Sequence, residues 1–360
     1  MARMHVVLSG YYGFNNEGDE AILTAIIQSL REINQGIDLT VLSNDPRSTA
    51  SKHQVQAVNR WKLKDVSNAL KTADGLISGG GSLLQDKTSM KSVPYYSGIM
   101  RIAKWHKKPV FVYSQGIGPV DHPISKWIVK STLNKVDQIT VRDHDSQQLL
   151  TSLGLKKDSI IVPDPVFGLD ARTFSSKWVE RAGITGPFVT VSVRDWPSDQ
   201  PFKERIAGCL DGLVSEGYSV VFVPFHGEED YQTSKEVAGL MDKDSYVMTA
   251  DIPMEEKIAV IRESALLIGM RLHSLIFASI VYTPFVALSY DPKVDSFAKL
   301  MDQPVGGHVN HGNWDESSLL EMVKRQLAEL DDVQQLLKDR AVIQQAKAVE
   351  TAEMAIKTFE

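Results

Sequence analysis

The chain has 360 residues, 43% of them hydrophobic and 23% charged, with 39 Lys and Arg against 45 Asp and Glu for a formal net charge of −6. That is ordinary globular material, long enough for two domains each with its own core, and the missing basic surplus argues against a nucleic-acid partner while leaving room for a local cationic pocket. The single cysteine, Cys209, lies in a helical pattern, permits no intrachain disulfide, fits a reducing compartment and reads as a buried structural thiol.

No apolar run reaches the roughly 18 residues of a membrane span. The N-terminus enters a strand almost at once, over 5–9, without a signal-peptide apolar region. The expectation is a cytoplasmic protein, with peripheral attachment at the inner face of the membrane left open. A turn-rich loop over 10–20 follows, then a helix whose Ile22, Leu23, Ile26, Ile27, Leu30 and Ile33 keep the spacing of one buried face. Strands predicted over 39–43, 75–78, 110–114, 138–141 and 159–162 alternate with helices near 63–71, 94–107, 123–136 and 143–153. Such βα repetition predicts a parallel sheet covered on both faces.

The alternation breaks between Pro163 and Pro187, where prolines stop elements at both ends. We therefore place a Rossmann-like domain over 1–165, a linker over 166–187 and a second Rossmann-like domain over 188–325. In the second half, strands over 188–193, 219–223, 246–248, 266–269 and 285–289 alternate with helices near 201–216, 230–241, 253–263, 271–281 and 293–301. Residues 326–360 close the chain, and the stretch from Asp331 reads as one long amphipathic helix, packed across the domain junction or, alternatively, against a membrane surface or another subunit. The fold class is α/β, with two doubly wound domains facing across a cleft in a GT-B-like manner. Ligands are then expected outside the carboxyl ends of the strands.

The loops at those ends carry the chemistry. In the first loop, Gly10, Gly13 and Gly18 permit close backbone approach, and Asn15, Asn16, Asp19 and Glu20 supply acceptors that suit a hydroxyl-rich ligand. Asp19 reads equally as a helix cap or as a binding and base residue. The glycine spacing does not match a dinucleotide fingerprint. Gly79, Gly80 and Gly81, followed by Ser82 and Asp86, bring backbone N–H groups toward a ligand without forming a Walker loop. The triplet Asp143, His144, Asp145 reads as a helix cap rather than a metal site.

In the second half, Arg194 ends a strand and offers a fork for phosphate or carboxylate. His226 follows another strand, among acids that would cap the next helix, and Lys293 follows a third. The stretch 264–278 reads as a buried strand feeding directly into a helix, with Arg271 and His273 in its first turn. Cations there meet the positive end of the helix dipole, so something negative is expected at that turn; the bland alternative is an arginine reaching to solvent.

Residues 10–23 (GYYGFNNEGDEAIL), 79–86 (GGGSLLQD), 115–119 (QGIGP) and 269–274 (GMRLHS) resemble the polysaccharide pyruvyl transferase family over about residues 5–325, and most nearly its CsaB-type ketal-pyruvyl transferases of secondary cell-wall polymers and S-layer anchoring. The resemblance implies transfer of pyruvate from phosphoenolpyruvate to a sugar diol as a cyclic ketal with release of phosphate. For the CsaB type, the acceptor is an N-acetylmannosamine of a lipid-diphosphate-linked saccharide and the ketal is 4,6-linked on it. It assigns Arg194, Arg271 and His273 to the donor; Ser274, next in the same motif, and Lys293, which follows its own strand, are placed with them as donor-side candidates. Asn16, Asp19, Gly80, Gly81, Ser82 and Asp86 are the acceptor-side candidates.

A general acid and a general base are required. His273 is the candidate acid or phosphate ligand, and Asp19 or His226 would assist proton transfer. Side chains meet the phosphate charge, so the scheme needs neither metal nor cofactor. Arg271→Ala is expected to abolish ketal formation without unfolding the chain. The rival readings are a GT-B glycosyltransferase using a nucleotide sugar and a non-catalytic anion- or sugar-binding module.

Overall fold

The computed structural model describes residues 3–14, 16–87 and 89–360; Asn15, counted above among the acceptors of the first loop, lies outside the described residues. The chain divides into two compact units, one running to Leu169 and including Gln344–Glu360, the other Asp170–Ile343.

The first unit alternates β1 (His5–Ser9), α1 (Glu17–Ile33), β2 (Asp38–Ser43), α2 (Pro46–His53), β3 (Gln56–Asn59), α3 (Leu63–Thr72), β4 (Gly75–Gly79), α4 (Ser92–Trp105), β5 (Val110–Gln115), α5 (Pro123–Leu133), β6 (Gln138–Val141), α6 (His144–Ser152) and β7 (Ile160–Ile161). Its strands order as β3-β2-β1-β4-β5-β6-β7, and every neighbouring pair is parallel. Val6, Val7 and Leu8 are all fully buried, as a central strand covered on both faces requires. One face packs Val7, Leu76, Val112 and Ile139 against Val66, Met100 and Val129 of the covering helices.

Two elements of this unit escape the sequence reading, α2 and β3. Strand β3 sits at the sheet margin, where Gln56 is exposed and Ala57, Val58 and Asn59 only half-buried, so no apolar run marks it. Helix α2 is short and polar. Its start is nevertheless written in the chain, with Asp45 accepting from the Ser48 N–H at 3.1 Å and Pro46 opening the first turn.

The stretch 166–187, read as a linker, is folded material with 3₁₀ turns at Pro165–Gly168 and Ala171–Thr173 and a helical turn α7 (Trp178–Arg181). From Asp170 onward it belongs to the second unit. That unit continues through β8 (Phe188–Ser192), α8 (Phe202–Ser215), β9 (Ser219–Phe222), α9 (Gly227–Leu240), β10 (Tyr246–Val247), α10 (Met254–Glu263), β11 (Leu266–Gly269), α11 (Leu272–Ile280), β12 (Phe285–Ser289), α12 (Pro292–Leu300), β13 (Val305–His308) and α13 (Glu316–Ala328). Arg262 of α10 fastens the entry segment by donating to the carbonyls of Ala171 at 3.0 Å and Phe174 at 2.6 Å.

The second sheet orders as β10-β9-β8-β11-β12-β13, again wholly parallel. Strand β13 was not foreseen, because two of its four residues are the glycines Gly306 and Gly307, which carry no apolar pattern. Each has a packing reason: a Cβ would meet Leu319 and Val286 at Gly306, and Trp314 at Gly307, within 2.7 Å. Cys209 is fully buried and its thiol is pushed up to about 12 by burial, which leaves it an inert packing group.

The chain ends in α14 (Leu330–Phe359), the long helix expected from the periodicity of the last stretch. Its final turn packs Phe359 against Gly75 of the first unit, where a Cβ would lie 2.2 Å from the ring. Among the described residues no helix is long and apolar enough to cross a membrane.

Candidate functional site

In a doubly wound sheet the crevice lies where the strand order reverses, at the carboxyl ends of the central strands. In the first unit that point falls between β1 and β4. The chain leaving β1 turns back so that the buried Tyr12 hydroxyl donates to the Gly79 carbonyl at 2.9 Å, and Glu20 accepts the Gly13 N–H at 2.8 Å. Asn16 caps α1, accepting from the Gly18 N–H at 3.1 Å. Asp19 stands in the first turn of α1, half-buried.

Burial is the largest influence on Asp19 and pushes its carboxyl up; Arg142 opposes it, Glu20 and Asp164 reinforce it, and the result is about 7. A carboxyl poised near neutrality at a switch point can take or give a proton at working pH. A cap alone would sit far lower.

The glycine run after β4 closes on the same place. Gly80 and Gly81 both have φ of +69°, and a Cβ on Gly81 would sit 2.8 Å from Asp19 Oδ1, so backbone and carboxyl approach as no other residue type allows. Ser82 is exposed and accepts from Arg142 Nη2 at 2.9 Å. Arg142, which leaves β6, also reaches Asp164 at 3.4 Å and lies over Gly116, where a Cβ would be 2.8 Å from its guanidinium. Arg142 was not singled out from the sequence. The signal was available, since it stands at the carboxyl end of its strand, directly after Val141, much as Arg271 stands two residues past Gly269.

Asp86, predicted on the acceptor side, has a structural task. Burial would raise its carboxyl, but the N–H groups of Asp121 and His122, both at 3.0 Å, more than offset that and hold it below the ordinary range. It pins the start of α5. The cap reading of the Asp143 segment holds, with Asp143 accepting from the Ser146 N–H at 2.7 Å.

In the second unit the reversal falls between β8 and β11, and the predicted residues leave four consecutive strands. Arg194 follows β8. Its guanidinium lies against a pair of packed rings, 4.7 Å from the Tyr290 centroid and 5.2 Å from that of Trp196, which are themselves 4.6 Å apart, and Nη1 donates to the Tyr290 hydroxyl at 3.0 Å. Its Nε is buried with no hydrogen-bond partner among the described residues. A stacked fork with an unsatisfied buried donor is ready for an anion.

Arg271 forms the N-cap of α11, and the anion expected at this turn comes from the chain itself. The side chain of Asp230, in the first turn of α9, is wholly buried and accepts a bidentate pair from Nε, at 2.9 and 3.1 Å, and from Nη2. Arg271 is thereby fixed in orientation, and its Nη1 has no hydrogen-bond partner among the described residues. The pairing also changes the expected phenotype of Arg271→Ala: removing the guanidinium strands a buried carboxylate, so stability falls along with any activity.

Ser274 is buried and donates to the Arg271 carbonyl at 2.7 Å, closing the first turn that carries His273. His273 is half-buried and stacks obliquely on Phe277 at 6.2 Å. Lys293 lies 3.5 Å from Asp291, the cap of its own helix α12. The His226 side chain is 39% exposed and 3.6 Å from Glu229, little more enclosed than that of Lys293 at 43%. Among the described residues no cluster of three His, Cys, Asp or Glu side chains is arranged to hold a metal ion.

Comparison with known proteins decides what this arrangement belongs to. The model of the family described as polysaccharide pyruvyl transferase matches residues 16–292. The chain is a member of that family. As a pyruvyl transferase it is an enzyme, and it shares 22% identity over 365 residues with the amylovoran biosynthesis protein AmsJ of Erwinia amylovora, spanning 84% of the present chain and 87% of that one.

Solved structures resembling this pyruvyl transferase include HepE of Anabaena in complex with UDP and glucose (TM-score 0.64, 12% identity, 99% of both chains covered). A glycosyltransferase of Rickettsia africae matches with a TM-score of 0.65 at 11% identity, over 100% of this chain and 98% of that one. The UDP-GlcNAc 2-epimerase of Neisseria meningitidis bound to UDP-GlcNAc matches at 0.63 and 12%, over 99% of both. At such identities the likeness is one of fold, and the fold is GT-B-like.

Proposed function

We propose that the pyruvyl transferase takes its pyruvyl group from phosphoenolpyruvate and places it on a sugar diol as a cyclic ketal, releasing phosphate. The observation that carries this reading is Arg194, held against the Tyr290 and Trp196 rings with a buried Nε that has no hydrogen-bond partner among the described residues, at the switch point of the second unit. Phosphoenolpyruvate presents a phosphate and a carboxylate on three carbons. Arg194 and the remaining Nη1 of Arg271 match two such groups, with His273 and Lys293 adding donors, and the same cations stabilise phosphate as it leaves; Ser274, buried with its one proton given to the Arg271 carbonyl, shapes the turn instead of binding the donor.

In the proposed sequence a proton reaches the methylene carbon, an oxocarbenium-like centre forms, one sugar hydroxyl attacks it, and the second displaces phosphate to close the ring. His273 serves as acid or phosphate ligand. Asp19 is preferred to His226 as the base that relieves the attacking hydroxyl of its proton, because its carboxyl titrates at about 7 within an enclosed glycine-lined loop. Asn16, Gly80, Gly81 and Ser82 present backbone and hydroxyl groups to the acceptor.

The finer identification, supported by the resemblance of the four loops, is the CsaB type: a 4,6-ketal on N-acetylmannosamine of a lipid-diphosphate-linked precursor, made at the cytoplasmic face for S-layer anchoring. The resemblance to nucleotide-sugar enzymes favours one competing reading, a glycosyltransferase. Incubating the protein with a saccharide acceptor and either phosphoenolpyruvate or a nucleotide sugar, then weighing the product, separates the two. The reading requires a mass gain of one pyruvyl ketal and equimolar phosphate. A hexosyl increment overturns it, and binding of phosphoenolpyruvate without phosphate release leaves only a binding module.

A further inference from the structure

The three most exposed large apolar side chains among the described residues are all on helices α4 and α5 of the first unit, Trp105 at 76%, Trp127 at 64% and Ile124 at 62%, and the two tryptophans line one groove. Neither tryptophan serves the core, since these helices turn Tyr96, Met100, Val129 and Leu133 inward instead. Between them runs an open groove of about 480 Å³, walled by Met100, Trp105, Trp127 and Val136 and rimmed by Lys104 and Lys135. Arg101 spans the two helices, donating to Ser131 at 2.6 Å and Thr132 at 3.0 Å while its guanidinium lies 5.8 Å from the Trp127 centroid. The Trp127 ring is thus flanked by a fixed cation.

The charge of this face runs against that of the chain. Residues 100–137 hold seven lysines and arginines and only two acids, Asp121 and Asp137, in a protein of net charge −6. Asp137 is already engaged, 2.8 Å from Lys104 and accepting the Val110 N–H at 2.7 Å. Lys107, Lys126, Lys130 and Lys135 remain exposed.

We infer that this α4–α5 face seats the protein on an anionic membrane surface. Indole rings settle at the depth of lipid headgroups, lysine stems reach from there toward phosphate, and anionic lipid supplies the opposite charge. A second copy of the chain fits worse, because a two-fold contact through this face would press its lysines against each other. The inference goes beyond the reading of a lipid-linked acceptor by naming the surface, and it stands on the charge and exposure of this face alone.

The test is sedimentation of the full chain with vesicles of phosphatidylcholine, with and without phosphatidylglycerol. The expected result is about tenfold stronger binding to the anionic vesicles, reversed by salt. Replacing both tryptophans (Trp105→Ala, Trp127→Ala) should weaken that binding by about tenfold, with the melting curve and turnover of a water-soluble acceptor unchanged. A second variant, Lys126→Glu with Lys130→Glu, should lose the preference for anionic vesicles. Three outcomes overturn the inference: equal binding to neutral vesicles, variants that bind like the wild type, or a dimer that the tryptophan substitutions dissociate. Because these vesicles carry no saccharide, failure here leaves pyruvyl transfer untouched, and failure of pyruvyl transfer leaves vesicle binding unaffected.

Discussion

Replacing Asp19 by Asn removes one titration and little volume, and it should make the protein more stable at neutral pH. The carboxyl of Asp19 is raised from 3.8 to about 7, chiefly by burial. Below the unfolded value both states hold the proton and the site costs nothing. Between the two values only the folded state holds it, so stability falls as pH rises, and above the folded value the penalty is complete. A shift of about three units at about 1.4 kcal/mol each corresponds to ~4 kcal/mol, which partial exposure trims to ~2–4 kcal/mol. Urea unfolding of wild type and Asp19→Asn across the range from acid to mildly alkaline pH should therefore give curves that coincide at low pH and separate by that amount above neutrality. The same residue, acting as base, should make kcat/KM rise through an inflection near 7 that the variant lacks. Stability curves that run parallel at every pH would show that Asp19 is an ordinary surface cap, and the proton-transfer role would go with them.

Further outcomes are expected from the second unit and the glycine loop. Arg271→Ala should lower stability by ~3–5 kcal/mol, because Asp230 is left buried and unpaired, and Arg271→Ala combined with Asp230→Ala should regain much of the melting temperature without regaining turnover. A single variant that melts like the wild type would mean the pair carries no structural weight. Arg194→Lys keeps the charge but loses the planar fork held against the Tyr290 and Trp196 rings, so KM for phosphoenolpyruvate should rise by about tenfold or more in steady-state kinetics while the fold is retained. Gly81→Ala places a Cβ 2.8 Å from Asp19 Oδ1 at a φ of +69°; a cost of ~1–2 kcal/mol in unfolding and a displaced pH inflection are expected, and an unchanged pH profile would detach Gly81 from Asp19.

Consecutive side chains determined a good deal. The apolar runs of the central strands and the 3.6-residue period between them dictate two parallel doubly wound sheets and the long final helix, because burial on both faces of a strand and on one face of a helix is written locally. Edge elements escaped for the same reason: β3 and β13 bury too little, or too many glycines, to leave a pattern. The loops at the strand ends were legible as candidates, but their chemistry was not. That Arg271 is held by Asp230, 41 residues away, and that Asp19 sits enclosed beside Gly81 and near Arg142 depends on which loops the sheet order brings together. So does the meeting of Trp105 and Trp127 on one cationic face. Ion pairing and desolvation are properties of neighbours in space, and only the tertiary structure chooses those neighbours.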